Sequence, residues 1–161
     1  MSFLKKMFKP KPVDFVSPFR GEIIELKDVK DEVFASKSMG DGLAIVPQLG
    51  EVYSPVNGTI EALFPTMHAI GIKAEDRNQY LIHIGLDTVK LKGEGFTCFV
   101  KQGDTIKQGQ LLVKFDLEKI HSEHIDLTSP IIVTNLNGRT FELLKRGQIH
   151  EKEAEIFTIK N

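Results

Sequence analysis

His68 and His83 are the residues of this chain best suited to chemistry. An imidazole is largely neutral near pH 7, so its ring nitrogen can serve as nucleophile, proton carrier or metal ligand. His83 lies in Tyr80-Leu81-Ile82-His83-Ile84-Gly85-Leu86-Asp87. The alternation there predicts a half-buried strand, with Tyr80, Ile82, Ile84 and Leu86 on the inner face. Leu81, His83, Gly85 and Asp87 share the other face, and Gly85 leaves room beside the ring. His68 lies in Thr66-Met67-His68-Ala69-Ile70-Gly71-Ile72, where an extended chain puts Thr66, His68, Ile70 and Ile72 on one side. The intervening Ala74–Gln79 has turn-forming composition. A hairpin would set the two imidazoles roughly opposite each other, with Cβ atoms about 4.5–5.5 Å apart. Register decides the outcome, because a slip of one residue sends the rings to opposite faces.

The elements that hold such a pair must come from a chain of one-domain size. Its 161 residues suffice for a sizeable core, and a 41% hydrophobic content with 27% charged residues reads as a soluble globular protein. A formal net charge of -1 speaks against a nucleic-acid binder that relies on bulk electrostatics. One cysteine, Cys98, excludes an internal disulfide and fits a reducing compartment. No apolar run approaches the roughly 20 residues that cross a bilayer. Lysines interrupt the apolar residues at the start, which lacks a signal-peptide pattern. The expected location is the cytoplasm.

Residues 1–13 read as a flexible cationic N-terminal tail, and residues 14–161 as the folded domain. Phe3, Leu4, Met7 and Phe8 alternate with lysines in a short amphipathic stretch suited to weak contact with an anionic membrane surface, and Pro10 and Pro12 end any helix. From Asp14 onward, strand-length runs such as Gly42–Val46, Gly109–Phe115 and Pro130–Thr134 are punctuated by Gly, Pro, Asn and Asp. One short helix is expected at Leu117–His124, begun by Asp116 as its N-cap. Ser17-Pro18-x-x-Gly21-x-Ile23 is echoed by Ser54-Pro55-x-x-Gly58-x-Ile60, and Ser129-Pro130-Ile131 opens a weaker third copy. Many short strands with regular turns predict an all-β, antiparallel sandwich or barrel. The Val100–Val113 segment is similar to the hammerhead turn of biotinyl and lipoyl carriers, so the expectation is a duplicated barrel-sandwich hybrid with short helical turns.

Several blocks together resemble the glucose-type enzyme IIA family of the bacterial phosphoenolpyruvate-dependent sugar phosphotransferase system. They are Thr66-x-His68-Ala69, the run from His83 to Phe96, the Gly103–Phe115 turn, Val33-Phe34-Ala35 followed by Gly40-Asp41-Gly42, and the Ser129–Asn135 segment. The resemblance covers about residues 15–160. It implies that His83 is phosphorylated by the histidine-containing phosphocarrier protein and passes the group to a cysteine on the IIB domain of a sugar permease. It also implies that His68 stabilises the phosphoryl group, that Thr66 orients His68, and that Asp31, Phe34, Asp87 and Val89 form the rim where partners dock. Lys30 stands where a proline is common in relatives. Binding of permeases or metabolic enzymes, controlled by the phosphate, follows from the same resemblance. No cofactor is required, although zinc at His68 and His83, completed by a partner's carboxylate, is known in the family.

The residues themselves fit those roles. A phosphoryl group adds about -1.5 to -2 charges, which an N–H donor would stabilise. Asp87 lies ~13 Å beyond His83 if the strand stays extended, which suits a partner contact more than activation of the ring. No glycine-rich nucleotide loop is present, so phosphate would arrive from a protein. Two other classes fit the residues less well. A zinc hydrolase of a related fold would use a His-x-His pair, but position 85 is Gly85. A biotin or lipoate carrier would need a Met-Lys-Met or Asp-Lys-Ala triplet, which is missing. His121 and His124 read as a solvated helix face, His150 as surface and Cys98 as a small packing residue.

Overall fold

The structure, a computed structural model, describes residues 11–161. Its strands are β1 (Gly21–Glu25), β2 (Asp41–Pro47), β3 (Glu51–Tyr53), β4 (Gly58–Leu63), β5 (Ala69–Ala74), β6 (Gln79–His83), β7 (Phe96–Cys98), β8 (Thr105–Ile106), β9 (Leu111–Phe115), β10 (Ser129–Val133), β11 (Thr140–Leu143), β12 (Gly147–Ile149) and β13 (Phe157–Lys160). An eight-stranded sheet runs in the order β12-β1-β2-β10-β6-β5-β4-β8, beside a three-stranded sheet β3-β9-β7 and a two-stranded sheet β11-β13. Strand pairing is antiparallel throughout these sheets, giving the expected all-β sandwich. The helical pieces are short: Glu32–Ala35, Leu117–Ser122, and the 3-10 turns Leu26–Asp28 and Thr88–Leu91. Asp116 caps the second helix by accepting from the backbone of Lys119, as its place before an apolar run predicts.

At its centre, in β2 and β10, the large sheet is buried on both sides, and this positions the site. One side faces the main core, where Ile70, Ile72, Tyr80, Ile82, Ile131 and Phe157 pack. The other side carries a smaller cluster in which Leu26, Val29, Phe34 and Leu86 cover Ala44 and Ile132. Alternation along β6 separates Tyr80 and Ile82 from Leu81 and His83, so His83 ends the strand on the smaller cluster's side. Residues 1–10 of the 1–13 tail lie outside the described residues. Lys11–Val13 are tied to the last strand: the Val13 N–H donates to the Phe157 carbonyl at 2.9 Å, and the Thr158 hydroxyl to the Lys11 carbonyl at 3.0 Å.

Candidate functional site

His83 and His68 meet at the β5–β6 end of the large sheet, with ring centroids 5.0 Å apart and planes at 76°. The cross-strand arrangement is not the one that alternation suggests. His83 pairs with Ala69, and Ile70 with Ile82, so a strand continued through His68 would turn that side chain toward the core with Ile70. The chain avoids this by leaving the strand early. Residues Phe64–His68 form a turn in which Met67 takes φ +60°, and its backbone N–H donates to the Phe64 carbonyl at 2.7 Å. The His68 carbonyl accepts from the Ile84 N–H at 2.7 Å, pinning the turn to the end of β6. The expectation that Thr66, His68, Ile70 and Ile72 share an extended face is therefore corrected: the turn, and not the strand period, brings His68 to His83.

A second correction concerns the far end of the His83 run. Gly85 adopts φ +75°, so alternation stops there and Leu86 joins the smaller cluster instead of the face of Ile82 and Ile84. A Cβ at Gly85 would lie 2.7 Å from Thr88 Cγ2, which a real side chain does not tolerate. Asp87, at φ +60°, opens the turn Thr88–Leu91, so the extended-strand distance to His83 does not apply. Its charge reaches the ring instead.

Both Nδ1 atoms are occupied by local partners. His83 Nδ1–H donates to the Gly85 carbonyl at 2.6 Å, and a carbonyl can only accept, so this nitrogen carries the proton. The neutral ring then has its lone pair on Nε2. The Thr66 hydroxyl is hydrogen-bonded to His68 Nδ1. Burial pushes the protonation of both rings below the ordinary histidine range. At His68 the neighbouring His83 adds to this, whereas at His83 the Gly85 bond and the charges of Asp31 and Asp87 oppose it. Both rings are consequently neutral near pH 7.

Aromatic and aliphatic side chains frame the pair. Phe34 meets the edge of His83 at 5.2 Å between centroids, and Phe64 meets His68 at 5.6 Å. His68 is only 6% exposed, and His83 is half-buried. Phe64, Val33 and Val89 each leave close to half of their surface to solvent, an arrangement that suits an apolar rim for a visitor. Asp31 caps the helix Glu32–Ala35 that carries Phe34, accepting from the Val33 N–H at 3.0 Å. Phe64 has no role in the sequence reading of the site, and Val33 enters it only within the Val33-Phe34-Ala35 block. Phe64 carried a signal, as an aromatic residue immediately before a Pro-Thr turn.

His121, His124 and His150 are exposed, and His124 lines a cavity with Lys30, Leu86 and Asp87. Among the described residues, no group of three or more His, Cys, Asp or Glu side chains converges as a metal site. The two imidazoles could therefore supply two ligands only, and a tetrahedral zinc would take the third protein ligand from another molecule. No described helix is long and apolar enough to cross a membrane.

The chain is similar to known proteins over most of its length. Residues 13–139 match the family described as phosphoenolpyruvate-dependent sugar phosphotransferase system, EIIA 1. The chain is 49% identical over 141 residues to the PTS system glucose-specific EIICBA component of Staphylococcus carnosus, covering 87% of this chain and 21% of that protein. It is 44% identical over 163 residues to the glucose-specific EIIA component of Oceanobacillus iheyensis, covering 98% and 99% respectively. Glucose permease IIA from Mycoplasma capricolum superposes with a TM-score of 0.85 at 38% identity, over 98% of this chain and 99% of that one. The chain thus spans about a fifth of the first relative and nearly all of the other two.

Proposed function

Because the chain belongs to the EIIA 1 family of the phosphoenolpyruvate-dependent sugar phosphotransferase system, and so has a phosphocarrier role in sugar uptake, we propose that His83 Nε2 is the atom that carries the phosphoryl group. The donor is the histidine-containing phosphocarrier protein, and the acceptor is a cysteine of a permease IIB domain. Relatives that fuse EIIA with EIIB and EIIC parts support that acceptor.

The steps use the residues at hand. The Nε2 lone pair of His83 attacks the phosphorus held on the donor's imidazole. The new N–P bond forms as the old one breaks, and that bond's electron pair returns to the donor ring. The proton on His83 Nδ1 stays with the Gly85 carbonyl throughout. With the Thr66 hydroxyl donating to His68 Nδ1, His68 presents Nε2–H to the phosphoryl oxygens, opposite charge developing beside a fixed donor. Phe34 and Phe64 limit water at the N–P bond. The thiolate of the acceptor cysteine then attacks phosphorus, the S–P bond forms, and the N–P pair returns to His83. This chemistry asks for no cofactor.

Asp31, Phe34, Asp87 and Val89 form the docking rim, where the two carboxylates meet cationic side chains of the partners. Phosphate on His83 adds negative charge to the same rim, so binding of permeases or metabolic enzymes there would follow the phosphorylation state. The observation that carries the reading is the locked Nδ1 of His83 beside a second imidazole 5.0 Å away. The test is incubation with phosphoenolpyruvate, the general phosphotransfer enzyme and the small phosphocarrier, followed by intact mass spectrometry. His83→Ala should take up no acid-labile phosphate; uptake by that variant would overturn the assignment. His68→Ala should slow transfer by ~10²-fold, the usual effect of removing one preorganised donor.

A further inference from the structure

Three Ser-Pro steps recur in the chain, and their hydroxyls are equally buried: Ser17 is 1% exposed, Ser54 0% and Ser129 0%. Two of them do the same local job. The Ser17 hydroxyl donates to the Phe19 carbonyl at 2.6 Å, and the Ser54 hydroxyl to the Val56 carbonyl at 2.7 Å. Each of these closes its own turn two residues ahead. Ser129 departs from its counterparts. Its hydroxyl turns back to donate to the Leu127 carbonyl at 2.7 Å, and its oxygen accepts the Gly85 N–H at 3.0 Å, across 44 residues of sequence.

Gly85 is the residue whose carbonyl holds His83 Nδ1–H. The peptide group that contains this carbonyl is held at its other end too, because the Leu86 N–H donates to the Asp126 carbonyl at 2.7 Å. Gly85 is thus fastened on both sides by the segment Asp126–Ser129: at its own N–H by Ser129 Oγ, and at the following N–H by Asp126. A linear chain of bonds runs from the imidazole through one peptide group to that segment, and such chains strengthen their members. With φ +75° and no side chain, Gly85 depends on these backbone bonds to fix its torsions. We propose that Ser129 is a positioning residue for phosphoryl transfer: by holding the Gly85 N–H while Asp126 holds the peptide that follows, it fixes the torsions of Gly85 so that its carbonyl keeps the His83 proton on Nδ1 and the lone pair on Nε2. The third copy of the Ser-Pro step keeps a local bond, directed backward to Leu127, and adds the long-range one to Gly85. The inference rests on the assignment of His83 as the phosphorylated residue.

Replacing Ser129 leaves the buried Gly85 N–H without its acceptor, so the Ile84–Gly85 peptide should turn or admit water, and the Gly85 torsions that aim the next carbonyl at the imidazole should relax with only the Asp126 bond left to hold them. The experiment compares Ser129→Ala with Ser54→Ala, which loses an equally buried hydroxyl remote from the site. Nitrogen-15 NMR of the histidine rings reports the tautomer and midpoint of His83, and the transfer rate is measured against donor concentration. In Ser129→Ala, part of the neutral His83 population should move its proton to Nε2. The midpoint should fall, since the Gly85 bond favours the protonated ring. Transfer should slow at least ~10-fold in kcat, the scale of a displaced reactive group, with KM for the donor unchanged. Ser54→Ala should lower the melting temperature while leaving tautomer, midpoint and kcat as in the parent. If Ser129→Ala fails to fold, Ser129→Cys keeps the volume with a weak acceptor and should show the same changes in smaller measure. An unchanged His83 tautomer and kcat in the folded variant would overturn the proposal, while phosphate uptake by the parent would still stand. Conversely, a parent that takes no phosphate on His83 would remove the functional reading without touching the tautomer result.

Discussion

The neighbours of His83 set the protonation of its ring. Burial lowers its protonation, and the Gly85 carbonyl, Asp31 and Asp87 partly restore it. Removing one of those charges should therefore lower the midpoint further. Asp31→Asn should do so with little loss of stability, because asparagine caps a helix about as well as aspartate. A ring titration followed by NMR checks this, and a midpoint that rises in Asp31→Asn would contradict the assigned electrostatics. The same argument sets the pH dependence of transfer. With both rings neutral from alkaline pH down to about the ordinary histidine value of 6.5, the chemical step should hold level there and fall only at lower pH. A rate that rises on acidification through this range would mean that a protonated imidazole is the working form.

Short irregular pieces, more than the strands, determine where the imidazoles point. The turn Phe64–His68 lifts His68 out of strand alternation, and the Gly85 turn releases Leu86 into the smaller cluster. Gly85→Ala should be costly on two counts, since φ +75° disfavours a side chain and the Cβ would press on Thr88 at 2.7 Å. A loss of about 1–3 kcal/mol in denaturant unfolding is expected, together with slower transfer because the His83 acceptor moves. The helix Glu32–Ala35 contributes through Phe34, which packs both on the smaller cluster and on the His83 ring. Phe34→Ala should lose about 3–5 kcal/mol of stability, and it should also expose the phosphohistidine to water. Its phosphorylated form should then hydrolyse faster than that of the parent, which a timed mass-spectrometric decay measures.

At the scale of the molecule, the site depends on a sheet whose central strands are buried on both sides, with the main core on one face and the smaller cluster on the other. Two histidines whose protonation is held down in the folded state couple this architecture to pH. The sign follows from linkage: below about pH 6.5 the unfolded chain binds protons that the folded rings refuse. Stability should be indifferent to these groups at higher pH and should decline as pH falls through the window beneath. The melting temperature of the parent should accordingly drop more steeply between neutral and mildly acidic pH than that of His68→Gln/His83→Gln. Parallel slopes in the two proteins would show that other groups govern the acid response.

The sequence by itself determined the all-β class, the strands that carry Ile82 and Ile131 and the Asp116 cap, and it singled out the two imidazoles as the pair best suited to chemistry. Local periodicity and residue chemistry suffice for those features, since each is written in a few neighbouring positions. It left open the register between β5 and β6, and it misread the chain on either side of it. A positive φ at Met67 or Asp87 has no signature in alternation, and a glycine at position 85 announces freedom without direction. The meeting of His68 with His83, the fastening of Gly85 by Ser129 and Asp126, and the packing of Phe34 against the ring were decided only by tertiary structure. The physical reason is that these contacts join segments tens of residues apart. Their geometry is set by competing burial and hydrogen-bond satisfaction across the whole sheet, which no local stretch of sequence contains.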